Sequence, residues 1–138
     1  MSEGYSGTPL PQKLGIKPDS RLGLLNAPVD FMGTLGELPH GVRVLVGNLH
    51  PPVDVVVAFF TERRQLERRL PGLIGVLDKA GGLWIAWPKR ASGVDTDITE
   101  DVVRELGLAE GVVDNKVCAI DETWSGLRLV YRVANRGR

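Results

Sequence analysis

The sequence predicts a single α/β domain: a mainly parallel sheet of about six strands with helices on both faces and an antiparallel hairpin at one edge. Three observations predict it. Two apolar runs, VDVVVAFF at 53–60 and LWIAWP at 83–88, lack polar alternation, as strands covered on both faces do. Between them Leu66, Leu70, Leu73, Ile74 and Leu77 recur on one face of a helix, while Arg63, Arg64, Glu67 and Arg68 fall mainly elsewhere. Near the carboxyl end the period changes, with Leu127, Leu129, Tyr131 and Val133 alternating with Arg128, Val130 and Arg132, as in a hairpin with one wetter face.

The remaining elements follow in order. Residues 1–12 carry Gly4, Gly7, Pro9 and Pro11 among small polar residues, a composition that predicts a mobile arm ahead of one domain over 13–138. LPQKLGI has the makings of a short helical turn ended by Gly15. RLGLLNAP at 21–28 reads as a first strand stopped by Pro28, and VRVLVG at 42–47 as a second, after a glycine-punctuated connection with room for a brief helix. HPP at 50–52 is a rigid loop. Pro71 is expected to kink or restart the long helix, because proline lacks the amide hydrogen and clashes with the carbonyl four residues back. Gly81 and Gly82 are expected to end that helix in a left-handed stop. A later helix puts Ile98, Val102, Val103 and Leu106 on one face with Gly107 after its end, and KVCAID and LRLVYRV, joined by ETWSG, form the hairpin.

Bulk properties exclude several functions. At 138 residues the chain supports one sizeable core. Seventeen Lys plus Arg balance seventeen Asp plus Glu, so no overall field draws it to nucleic acid or an anionic membrane. The longest unbroken apolar run, VVVAFF at 55–60, is far short of the roughly 20 residues a membrane helix needs. The amino end has neither the basic start nor the apolar core of a secretory signal, and the lone Cys118 cannot form an internal disulfide; both features predict a cytoplasmic protein.

Ligands of open α/β sheets bind beyond the carboxyl ends of the parallel strands. Asn26, Thr61, Lys89 and Ser92 fall just after three such strands and are the expected contacts for a small anionic ligand. The loop WPKRASGVDTDITED, at 87–101, has two readings. Lys89, Ser92 and Thr96 have the chemistry to hold a phosphate or carboxylate. Equally, Asp97 and Glu100 stand three apart as in a capping box, so the polarity satisfies the first amides of a helix. Cys118 is expected to be a small buried hydrophobe. His40 and His50 are expected in exposed loops, with no second His or Cys at metal-ligand spacing and no metal predicted. Trp84 and Trp87 are expected to pack, whereas Trp124 either folds back on the sheet or, if exposed, offers a protein partner a docking surface. No catalytic residue is singled out, and the oligomeric state is open.

Three stretches, LGIKPDSRLGLL, LDKAGGLWIAW and LGLAEGVVDNKVCAID, resemble the carboxyl-terminal half of the Rossmann-like methyltransferases that use S-adenosylmethionine. The sequence also looks like a family of small bacterial proteins with no assigned function, which share GYSGTPLPQKLGIK, WPKRASGV and NKVCAIDETWSGLRL. The first resemblance implies a methyltransferase-like scaffold. It departs from that pattern where those enzymes place glycines after the first strand: here stand Asn26, Ala27 and Pro28, and only Asn48 follows the second strand in place of a ribose-binding carboxylate. The six residues between Gly47 and Asp54 are too few for the helix, strand and helix usual there. The expectation is therefore a non-catalytic small-molecule-binding or accessory protein on a methyltransferase-like scaffold, with adenosylmethionine disfavoured as cofactor; the alternative is a reduced adenosylmethionine-dependent methyltransferase.

Overall fold

The structure is a computed structural model that describes residues 7–133. In chain order it contains α1 (Leu10–Leu14), β1 (Arg21–Leu25), α2 (Phe31–Leu35), β2 (Arg43–Val46), β3 (Val53–Phe59), α3 (Arg63–Val76), β4 (Leu77–Pro88), α4 (Glu100–Ala109), β5 (Val112–Ala119) and β6 (Trp124–Tyr131). The six strands form one sheet in the order β2-β1-β3-β4-β6-β5. β2, β1, β3 and β4 are parallel, and β6 pairs antiparallel with both β4 and β5. The expected α/β fold with an antiparallel edge is what forms. Of the arm expected over 1–12, residues 1–6 lie outside the described residues, and 10–12 belong to α1 with Pro11 buried.

β3 and β4 have no polar face because both sides are covered. On one side Leu66, Leu70, Leu73 and Ile74 of α3 and Val103 of α4 pack with Val56, Ala58, Leu83 and Ile85. On the other, Leu14 and Ile16 beside α1 and Phe31 and Leu35 of α2 pack with Leu22, Leu24, Val55, Val57 and Trp84. The fully buried Trp84 spends its indole N–H on the Leu14 carbonyl, at 2.9 Å, which pins α1 to the sheet. α1 ends at Gly15, whose φ of 83° is the left-handed conformation a helix stop needs.

Parallel strands are ordinarily joined by a dozen or more residues including a helix. Between β2 and β3 only residues 47–52 intervene, so the crossover is a bare strap. Gly23 in β1 makes room for it: a Cβ there would meet the methyl groups of Leu49 at 3.0 and 3.1 Å. The missing third strand expected from the short spacing is thus absent among the described residues, and β2 becomes an edge with Val44 and Val46 exposed.

Four expectations need correction. Pro71 does not restart the helix: α3 runs continuously from Arg63 to Val76 with Pro71 inside it. Gly81 and Gly82 are not its stop; they lie in β4, where the pairing slips from Val53–Leu77 to Val55–Gly82. A Cβ on Gly81 would stand 2.5 Å from the Asp54 carbonyl, a close backbone approach that calls for glycine, and one on Gly82 would displace the Arg128 guanidinium. Gly107 is inside α4, buried against Leu129, with the helix continuing to Ala109. The hairpin begins at Val112 rather than Lys116, and Trp124 is already in β6.

Candidate functional site

The chain runs from β1 to β2 on one side and then crosses back past β1 to β3 on the other, so the carboxyl ends of β1 and β3 bound the crevice where such sheets bind ligands. Asn26 is the first residue beyond β1 and is exposed, with φ at 57°. Few residues other than glycine adopt that left-handed conformation readily, and Asn is one of them. Its side-chain amide donates to the Phe59 carbonyl at 3.1 Å, tying the exit of β1 to the end of β3. Alongside, the Gly47 N–H donates to the Leu24 carbonyl at 2.9 Å, leaving Gly47 and Asn48 exposed at the end of β2. Val29 and Val46, both exposed, lie on the exits of the same two strands.

Thr61, Lys89 and Ser92 gather around the end of β4, on the far side of β3. The Ser92 hydroxyl donates to the Lys89 carbonyl at 2.7 Å and accepts from the Val94 N–H at 3.1 Å. Thr96 donates its hydroxyl to the Thr61 carbonyl at 2.6 Å and accepts from the Ile98 N–H at 3.1 Å. Lys89 and Thr96, with Glu100 and Ser125, line a polar cavity of about 510 Å³, to which Asn26, Thr61 and Ser92 do not contribute. The Lys89 ammonium makes no ion pair among the described residues. Three of the four expected contacts are therefore near one another, and Asn26 is at the separate crevice beside β1.

The 87–101 loop largely follows its structural reading, with different residues in the roles. The Asp97–Glu100 capping box does not form. Thr99 is the N-cap of α4 and accepts from the Val102 N–H at 3.2 Å, while the Asp97 carboxylate accepts the Arg63 N–H of α3 at 2.6 Å. Asp97 thus caps the neighbouring helix, a role invisible in local spacing. Glu100 and Asp101 instead bind the Arg104 guanidinium, which also reaches Asp114 of β5 at 3.2 Å; Glu100 and Asp114 raise its pKa.

Asp121 stands at the start of the turn from β5 into β6. One of its oxygens, Oδ1, accepts from the N–H groups of both Thr123 and Trp124, each at 2.8 Å, which sets the turn into β6. Trp124 is half-buried and folds back: its ring meets Phe59 edge-on at 5.0 Å, and Phe59 meets Phe31 likewise at 4.9 Å. Cys118 is half-buried rather than buried, and burial pushes its thiol pKa up. Both histidines are exposed, and no cluster of three metal-ligating side chains occurs among the described residues. No helix is long and apolar enough to cross a membrane.

Neither a protein-family model nor a curated protein matches the sequence. Solved structures do match the fold. A SAM-dependent methyltransferase from Aquifex aeolicus superposes with a TM-score of 0.61 at 15% identity, over 86% of this chain and 85% of that one. Magnesium protoporphyrin IX methyltransferase from Synechocystis with bound SAH matches with a TM-score of 0.58 at 10% identity, over 83% and 75%. A TehB-like SAM-dependent methyltransferase from Corynebacterium glutamicum gives 0.58 at 9%, over 94% and 90%. The chain has a methyltransferase-like Rossmann scaffold. The expectation that adenosylmethionine is disfavoured is overturned: the scaffold recurs in proteins solved with SAM or SAH, and Asn26, standing where a glycine was expected, itself takes a left-handed conformation.

Proposed function

We propose that the chain is a reduced adenosylmethionine-dependent methyltransferase that binds its cofactor around the carboxyl end of β1, between β2 and β3. This reading replaces the non-catalytic accessory role expected from the sequence. The observation that carries it is the exposed left-handed turn at Asn26, at the crevice where the strand order reverses. A nucleoside joined to an amino acid needs an apolar surface for its base and hydrogen-bonding groups for its sugar and polar end. The exposed Val29 and Val46 supply the first, and Asn26 and Asn48 the second. Thr61, Lys89 and Ser92 are the contacts proposed for the anionic part of the second substrate, with Lys89 supplying the charge. Bound adenosylmethionine would supply an electrophilic methyl group on sulfonium; the role of these side chains is to bind and orient.

Isothermal titration with adenosylhomocysteine, followed by a thermal-shift series with adenosylmethionine, tests the reading. Ligand at 100 times its dissociation constant stabilises by about 2.7 kcal/mol, enough to raise the midpoint by several degrees. Binding that Asn26→Ala weakens supports the reading; no heat and no midpoint change with either compound at millimolar concentration ends it.

A further inference from the structure

A cavity of about 1020 Å³ is distinct from both the Asn26 crevice and the Lys89 cavity. It lies on the α1/α2 face of the sheet. Its walls are residues 7–17, on and around α1, and residues 34–40, which leave α2 and lead to β2; residues 119–121 close one end. Its cause is the shortness of the two helices. At five residues each, α1 and α2 cover about 7.5 Å of axis, whereas the seven residues of β3 extend about 23 Å, so the described residues roof this face only in part.

The lining fits a particular chemistry. Pro11, Ile16, Leu35 and Ile120 are buried beneath it and Leu10 and Leu38 are partly so, giving a mostly apolar bed. Its volume is at the upper end of the ~300–1,000 Å³ typical of small-molecule sites. The groove also runs lengthwise: Lys17 and His40 stand on the approaches to β1 and β2, at the amino edge, and Asp121 at the carboxyl edge. At that end Asp121 is held in place through Oδ1, on which both backbone N–H bonds fall, and no hydrogen bond among the described residues falls on Oδ2. A fixed carboxylate at the end of an apolar trough selects for a hydrogen-bond donor on the occupant.

We infer that this groove binds an elongated, largely apolar small molecule whose hydroxyl group donates to Asp121. The inference goes beyond the proposed function and does not depend on it. The site is separate from the Asn26 crevice: none of Asn26, Val29, Val46 and Asn48 lines it.

Amide chemical-shift titration of the full chain with 2-naphthol, and in parallel with naphthalene, tests it. 2-Naphthol should shift the amides of residues 34–38 and 119–121 in a saturable way and bind about tenfold more tightly than naphthalene, the margin of a hydrogen bond to a charged acceptor. Asp121→Asn keeps the oxygen that accepts the Thr123 and Trp124 amides but turns an N–H₂ toward the ligand, and should abolish that margin. Gln12→Trp places a bulky ring on an exposed lining position and should abolish binding of both probes while leaving the thermal midpoint unchanged. Shifts scattered over other surfaces, an unaltered preference in Asp121→Asn, or unaltered affinity in Gln12→Trp would each overturn the inference. A titration with adenosylhomocysteine, followed at residues 24–29 and 46–49, reports separately on the cofactor site, so either reading can fail alone.

Discussion

The two faces of the sheet are built to different standards. One is roofed by α3 and α4, of 14 and 10 residues, whose leucines and valines interlock with both central strands. The other is roofed by two helices of five residues, a loop, and a trough. Yet the side chains beneath are equally dry, Leu70 being 2% exposed and Leu35 3%. Burial is therefore matched while the surroundings differ. The long helices make one side a stable platform, and the short ones leave room on the other for a ligand.

The largest expected effects contrast these faces directly. Leu70→Ala in α3 should cost about 3–5 kcal/mol, because the cavity left behind is enclosed by rigid neighbours. Leu35→Ala in α2 should cost about 2–3 kcal/mol, since a residue bordering an open trough leaves a hole that solvent and the adjoining loop relieve. Urea denaturation of the two variants measures the difference, and equal losses would erase the distinction between the faces.

Next comes the seam between β1 and β3. Asn26→Ala forces a left-handed residue without the side chain that tolerates it and removes the bond to Phe59, for a combined loss of about 2 kcal/mol. Asn26→Gly keeps the turn and loses only the bond, so its loss should be about half as large. A smaller loss for alanine than for glycine in the same denaturation series would show that the turn is not what Asn26 is there for. For the stable face, Thr99→Ala should cost about 1 kcal/mol through the lost cap on α4, whereas Glu100→Ala, which the capping-box reading would have made equivalent, leaves the cap intact. Circular dichroism melts of both variants separate the two.

The smallest effect is a pH dependence on the thin side. Burial raises the Cys118 thiol pKa above its unfolded value, so the folded protein holds that proton more tightly. Its contribution to stability is complete below the unfolded thiol pKa and is lost as pH rises through the folded one. Cys118→Ser should therefore flatten the alkaline end of a stability–pH curve slightly, and alkylation of the native thiol by iodoacetamide should lag behind that of the denatured chain at the same pH.

Much of the scaffold was legible because strand and helix periods are local. The apolar run at 53–60 marked β3 to within one residue and that at 83–88 the second half of β4, and the leucines from Leu66 to Ile74 marked the face of α3. The short spacing after Gly47 correctly ruled out a helical crossover there. Less of the candidate site was legible. Asn26 was selected for its place after β1, but the missing glycines pointed away from a cofactor because composition does not reveal that an asparagine has taken a glycine's dihedral angle. Asp97 and Glu100 carry the spacing of a capping box, yet each found a better partner: Asp97 the amide of Arg63, 34 residues away, and Glu100 the guanidinium of Arg104.

The sequence by itself determined the order of strands and helices, the double-sided burial of β3 and β4, and the antiparallel tail, since each follows from the period at which apolar residues recur along a few turns of chain. Only the tertiary structure decided the position of Asp121 at the end of a trough, the strap of Leu49 over Gly23, and the tie from Asn26 to Phe59. Those arrangements join residues tens of positions apart, and hydrogen bonds and voids arise from where packed elements bring side chains, which no local pattern records.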